Sequence, residues 1–252
     1  MMKRFVPFVL VVVISMGSSG VLTSSAGSPQ EAIETGRLLA LLLDAGRVTI
    51  GKNQALINDP AKGDKGFTPE VFAQQVIAEF KARTGIDLND LDTQPIPEMA
   101  KPLLARLLEE SKKTVATYQP VINIKGVKYK GLIPATFGTE TSFRFQNWSR
   151  VYLKQTAPDR FLRNPRNKAD AFELAMMEKL ADPSYPRDKA AILSEIDKQG
   201  RSVRIMLPLY YGQECIGCHG GPKGERDITG HLKEGGKLGE FAGAISVKLS
   251  LK

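Results

Sequence analysis

Cys215-Ile216-Gly217-Cys218-His219 is the stretch of this chain whose residue types and spacing can do chemistry. Two cysteines separated by two residues, with a histidine directly after the second, form the attachment pattern of a c-type haem. The order has a chemical reason. Each thiol adds to one of two vinyl groups on adjacent edges of the porphyrin, so the sulfurs must sit a fixed distance apart, and the next residue falls beneath the ring. His219 would then be the proximal axial ligand of the iron. The chain holds only 2 Cys and 2 His in 252 residues, so a chance match to the whole pattern is on the order of one in ten thousand.

Three other chemistries use parts of this pattern. A thioredoxin-like redox site also has Cys-x-x-Cys, but it expects the motif at a helix N-terminus inside a βαβ unit, which the surrounding sequence does not offer. Cys215, Cys218 and His231 have the first spacings of a zinc finger. The closing histidine is missing, however, and the neighbours Cys218 and His219 do not easily share one tetrahedral ion. A plain disulfide between Cys215 and Cys218 leaves His219 unexplained.

Covalent haem attachment belongs outside the cytoplasm, and the first residues agree with that. Met1-Met2-Lys3-Arg4 is a basic head, Phe5 to Ile14 is an apolar run interrupted by Pro7, and Ser24-Ser25-Ala26 offers small residues for cleavage. Residues 1–26 therefore read as a secretory signal peptide, too short in its apolar part to span a bilayer comfortably. A soluble periplasmic mature protein with no membrane span is expected. The formal charge of +8 becomes +6 without Lys3 and Arg4. Such a balance suits an acidic redox partner or an anionic membrane surface, and equally a simply solvated surface, while the compartment argues against nucleic acid.

Around the motif, the sequence asks for helices first and strands later. Ser28-Pro29-Gln30-Glu31 is a capping box with proline in the first turn, so a long helix begins there and runs toward Asn58-Asp59-Pro60. Its Leu38 to Leu43 run must be covered, either by the body of the domain or by a second copy in a homodimer. Thr68-Pro69-Glu70 caps a second helix that ends at Gly85, with Phe72, Val76 and Phe80 on one face. A third begins near Pro102, with Leu103, Leu104, Leu107 and Leu108 inside and Glu109, Glu110, Lys112 and Lys113 in water. After Pro120 the alternation predicts strands at 121–125 and 127–133, helix-like spacing from Thr136 to Trp148, a strand at 151–156, and a helix from about Lys168 to Ala181. The clearest alternation is Val203-Ile205-Leu207-Leu209 and Ile245-Val247-Leu249-Leu251, two strands that should pair. Between them, residues 211–240 carry the motif and nine of the chain's 23 glycines, so this backbone must turn sharply and approach something closely.

Four blocks together resemble a known family: Tyr129-Lys130-Gly131-Leu132-Ile133-Pro134-Ala135, Arg163-Asn164-Pro165-x-Asn167, Glu214 to Pro222 around the motif, and Gly243-Ala244-Ile245-Ser246-Val247. The chain is similar to the bacterial single-haem c-type proteins with a PAS-like fold. The resemblance implies an α+β architecture: an antiparallel sheet of about five strands with flanking helices and a long N-terminal helix. It divides one folded unit, 27–252, into an N-terminal helical region, 27–120, and a PAS-like haem core, 121–252. It also implies one covalently attached haem c, held by Cys215 and Cys218, and a role in electron transfer or in redox or ligand sensing. A member of that family takes a cysteine as second axial ligand from a segment that falls near Ile133 and Pro134 here, and this chain has no third cysteine.

The sixth iron position is therefore open or filled otherwise. Candidates are His231, 12 residues beyond His219, and Met99, Met176, Met177 or Met206. Arg163 is a candidate partner for a haem propionate, since guanidinium matches carboxylate in two parallel hydrogen bonds; the competing reading makes it part of a helix-entry turn. A peroxidase would want a distal His with an Arg nearby, and no such set is identifiable, so the expectation is a non-enzymatic cytochrome. Its first role is electron transfer with a periplasmic partner, and its second is haem-based redox or gas sensing through a separate signalling protein.

Overall fold

In the computed structural model, residues 27–186 and 191–251 are described, so the leader expected at 1–26 lies outside the described residues. The first helix, α1 (Pro29–Lys52), starts at the capping box the sequence places there: Glu31 N–H donates to Ser28 Oγ at 3.2 Å and Ser28 N–H to Glu31 Oε2 at 2.6 Å. It breaks at Asn53 and resumes as the single turn α2 (Gln54–Ile57). Helix α3 (Pro69–Thr84) is capped by Thr68 and stopped by Gly85 in the left-handed region, φ 76°. There follow a 3-10 segment at Leu88–Thr93, α4 (Ala100–Ile122) and α5 (Pro134–Ser149). Strand β1 (Tyr152–Thr156), 3-10 turns at Asp159–Phe161 and Pro165–Asn167, α6 (Ala171–Ala181), β2 (Leu193–Ile196), β3 (Ser202–Tyr210), α7 (Gln213–His219) and β4 (Phe241–Ser250) complete the chain.

The four strands form one open antiparallel sheet in the order β1-β4-β3-β2. Ile205 faces Val247 and Leu207 faces Ile245 across the central pair, in the register the alternation predicts. Because side chains alternate across a strand, the two sheet faces separate cleanly. Val203, Ile205, Leu207, Leu209, Ile245, Val247 and Leu249 join the main core beneath α1, while Met206 and Ala244 join Phe241 in a smaller core with Met176, Met177 and Leu180 of α6. The architecture is the expected α+β, PAS-like one, with four strands among the described residues rather than about five.

Helix α1 is the spine. Leu38 to Leu43 are at most 1 % exposed, and the helix packs on α3, α4, α5 and the β3–β4 pair. Each buried leucine stabilises by roughly 1.5–3 kcal/mol. The leucine run is thus covered by the body of the domain, the first of the two alternatives the sequence leaves, and needs no second copy to bury it. Gly36 makes the approach to the sheet possible: a Cβ there would lie 2.4 Å from Ile205 Cδ1.

Two further expectations differ from the structure. The strands expected at 121–125 and 127–133 are absent: α4 continues to Ile122, and the segment after it is irregular. Its backbone donors go to an adjacent loop instead of a ladder, Gly126 N–H to Pro60 O at 2.8 Å and Lys130 N–H to Asn58 Oδ1 at 3.0 Å. Lys130 in this segment is buried, with its ammonium on the Ile124 carbonyl. Glu110, expected in water, is buried and paired with Arg106 at 2.7 Å and Lys113 at 3.0 Å. An ion pair on each side lets a carboxylate occupy a position that periodicity alone assigns to solvent.

Candidate functional site

Cys215, Cys218 and His219 all lie on α7, the short helix that leaves β3 after Tyr211. Helical spacing explains what this does: residues three and four apart share a side, so both thiols and the imidazole project from one flank of two turns. The motif is helical, as in a thioredoxin-like site, but it connects antiparallel strands β3 and β4 and not the parallel strands of a βαβ unit. The two cysteines are free thiols, half-buried. Burial pushes both thiols up, Cys218 further under the influence of Asp227, which keeps them protonated at neutral pH.

Tyr211 stacks on the His219 ring, with centroids 5.1 Å apart and planes 26° apart. From the far end of the loop, Glu234 Oε2 lies 2.9 Å from His219 Nδ1. Burial and then the positive Arg163 lower the imidazole's proton affinity, outweighing the pull of Glu234, so the ring is neutral at neutral pH. A neutral ring beside a carboxylate carries its proton on Nδ1 and donates it to Glu234, which leaves the Nε2 lone pair available. A histidine oriented by a carboxylate on one nitrogen and open on the other is the arrangement of a metal-ligating imidazole.

The loop is bent back to reach the histidine by its own backbone. Gly236 N–H donates to His219 O at 2.7 Å, and a Cβ at Gly236 would sit 2.4 Å from the Tyr211 ring, so only glycine allows this return. Arg163, from the connection between the two 3-10 turns, locks the loop. Its Nε and Nη2 hold the two Glu234 oxygens at 2.6 and 2.9 Å, Nη1 holds Asp227 at 2.6 Å, and Nη2 also reaches Cys218 O at 2.9 Å. Arg163 is therefore a clamp on the motif loop, with its donors engaged by protein groups. The helix-entry role falls to Asn164, whose side chain caps the turn at Pro165–Asn167.

Burial acts to raise the Glu234 carboxyl, and the Arg163 hydrogen bonds and His219 more than reverse it, so the group ends below its ordinary range. Asp227 follows the same pattern, with Thr229 and Arg163 overcoming burial.

His231 is exposed, and its backbone closes a turn on Asp227. Among the described residues Cys215, Cys218 and His231 do not converge as a metal-binding group. Met176, Met177 and Met206 fill the small core beneath α6, and Met99 packs at the start of α4. The segment near Ile133 and Pro134 is brought to the motif: at Gly51, a Cβ would lie 2.9 Å from Glu214 Cγ and 3.6 Å from Pro134 Cγ, so α7, α5 and the end of α1 meet there. Glu234, Asp227 and Tyr211 are the residues that sequence reasoning missed; Asp227 and Glu234 carry no signal that separates them from the loop's other acids, Glu214, Glu225 and Glu240.

The donor set fits a covalent haem: two free thiols and a directed imidazole on one helix flank, beside a loop that turns Ile228, Leu232 and Leu238 outward at 46, 55 and 66 % exposure. Cys215 and Cys218 would hold the porphyrin and His219 Nε2 the iron.

A family model described as Tll0287-like (Tll0287) matches residues 26–250. The chain belongs to the Tll0287-like family. A solved structure titled "Crystal structure of the cyanobacterial heme-protein Tll0287" aligns with 63 % of this chain and 97 % of its own, at 14 % identity and a TM-score of 0.42. No curated protein matches.

Proposed function

We propose that this chain is an exported, periplasmic mono-haem c-type cytochrome that exchanges electrons with a separate protein partner and turns over no substrate. The observation that carries the reading is the directed imidazole: His219 sits on the same helix flank as two free thiols, with Nδ1 engaged by Glu234 and Nε2 open. When bound, haem supplies a one-electron couple whose potential depends on axial ligation and burial. The chain's own residues then fix the porphyrin, orient the histidine and hold the loop. Membership in the Tll0287-like family supports the same reading. Among the described residues no helix is long and apolar enough to cross a membrane, which agrees with a partner reached by diffusion.

Sensing is the second reading. It is favoured by the contact of Glu214, on the motif helix, with Gly51 near the end of α1, because a displacement of α7 would press directly on the spine helix. Absorption spectra of the matured protein with and without carbon monoxide separate the two. A spectrum indifferent to carbon monoxide, with a reversible couple, supports electron transfer; a ferrous form that binds the gas stoichiometrically overturns it in favour of sensing.

A further inference from the structure

Glu234 does more than close a loop. Its Oε2 is shared at 2.9 Å by His219 Nδ1 and by Arg163 Nη2, while Oε1 takes Arg163 Nε at 2.6 Å. The carboxylate is thus divided between an imidazole that gains electron density from it and a guanidinium that withdraws density. Arg163 is itself tied to Asp227, whose side chain is fully buried, and to the carbonyl of Cys218. Tyr211 closes the other side of the ring. Loop closure alone does not require this arrangement. The Gly236 to His219 backbone bond already returns the chain, and Lys233 N–H to Glu225 O at 2.8 Å with Gly224 N–H to Lys233 O at 3.0 Å pair the loop's two arms.

We propose that Glu234 is the positioning residue of the axial histidine, and that Arg163 sets how strongly Glu234 acts on it. The proposal rests on His219 being an iron ligand. A carboxylate accepting the Nδ1 proton makes the imidazole a stronger donor and favours the oxidised iron. Substituting Glu234 therefore raises the reduction potential, whereas substituting Arg163 frees the carboxylate and lowers it. Opposite signs from two residues in one salt bridge distinguish this from simple loop damage, which moves both variants the same way.

The test uses the matured protein and the variants Glu234→Gln, Arg163→Gln and, as a charge control whose carboxylate takes the Lys237 N–H instead of the ring, Glu240→Gln. Redox titration of Glu234→Gln is expected to shift the oxidised-to-reduced equilibrium about tenfold toward the reduced form, which is about 59 mV for a one-electron couple. Arg163→Gln shifts it the other way, and Glu240→Gln shifts it less than Glu234→Gln. Because the chain has 2 histidines, selective imidazole labelling with nitrogen-15 gives a second readout in the haem-free protein. His219 is expected to be the Nδ1–H tautomer with its proton in a strong hydrogen bond, and that signature is lost in Glu234→Gln and retained in Glu240→Gln. This second readout decides the matter if Arg163→Gln fails to fold. A potential for Glu234→Gln within error of the parent, or an unchanged imidazole signature, overturns the proposal. Absence of covalent haem from the parent would instead overturn the functional reading, and the two failures are separately visible.

Discussion

Arg163→Ala should loosen the motif loop at a large cost in stability, although Arg163 lies far from that loop in sequence. The guanidinium is 17 % exposed and makes hydrogen bonds of 2.6 Å to Glu234, 2.6 Å to Asp227, 2.9 Å to Glu234 and 2.9 Å to Cys218 O. Its removal leaves the Asp227 carboxylate fully buried and the Glu234 carboxylate 15 % exposed without their cation. Breaking a buried pair from one side costs about 3–5 kcal/mol. Asp227 keeps its bonds from Thr229 N–H, Thr229 Oγ1 and His231 N–H, which places the expected loss near the lower end, about 3 kcal/mol.

Urea unfolding of the matured protein, followed by far-ultraviolet circular dichroism, measures that loss as a lower midpoint at unchanged slope. Acid gives a second reading of the same contacts. Asp227 and Glu234 both have lowered folded-state values, so their stabilisation is present above the ordinary carboxylate range and is lost as pH falls through the lowered values. The parent therefore loses stability on acidification that the variant has already lost, and the two curves converge at low pH. A loss below about 1 kcal/mol at neutral pH, the size of an exposed pair, or parallel curves down to low pH, would refute the reasoning.

Phe137→Ala should destabilise by about 3–5 kcal/mol in chemical denaturation, because the ring is fully buried, 5.3 Å from Phe72, and fills the space that Gly46 of α1 leaves open. His231→Ala should leave the ferric and ferrous absorption spectra unchanged, since the side chain is exposed and the turn it sits in is held through its backbone; a switch from low to high spin would contradict that.

Where local chemistry decided the structure, it was readable in the residues. The α1 capping box, the Thr68 cap, the Gly85 stop and the β3–β4 pairing each follow from short-range pattern, and each is present. The motif was legible because its chemistry demands a fixed spacing along the chain. The segment at 121–133 was not, because alternation says only that two faces differ. Among the described residues no strand pairs with it, and its donors are drawn to Pro60 and Asn58. Glu110 was misplaced for a related reason: its burial depends on the flanking cations Arg106 and Lys113. Arg163, Asp227 and Glu234 meet across 64 and 71 residues of chain, and no periodic signal links positions so far apart.

Intact mass after denaturation tests the central claim most directly, with the chain expressed in a host that exports it and attaches haem covalently. The parent is expected to remain coloured and to weigh one haem more than the processed polypeptide, while the double variant Cys215→Ser, Cys218→Ser is expected at the bare polypeptide mass. A colourless parent at the bare mass would contradict the account.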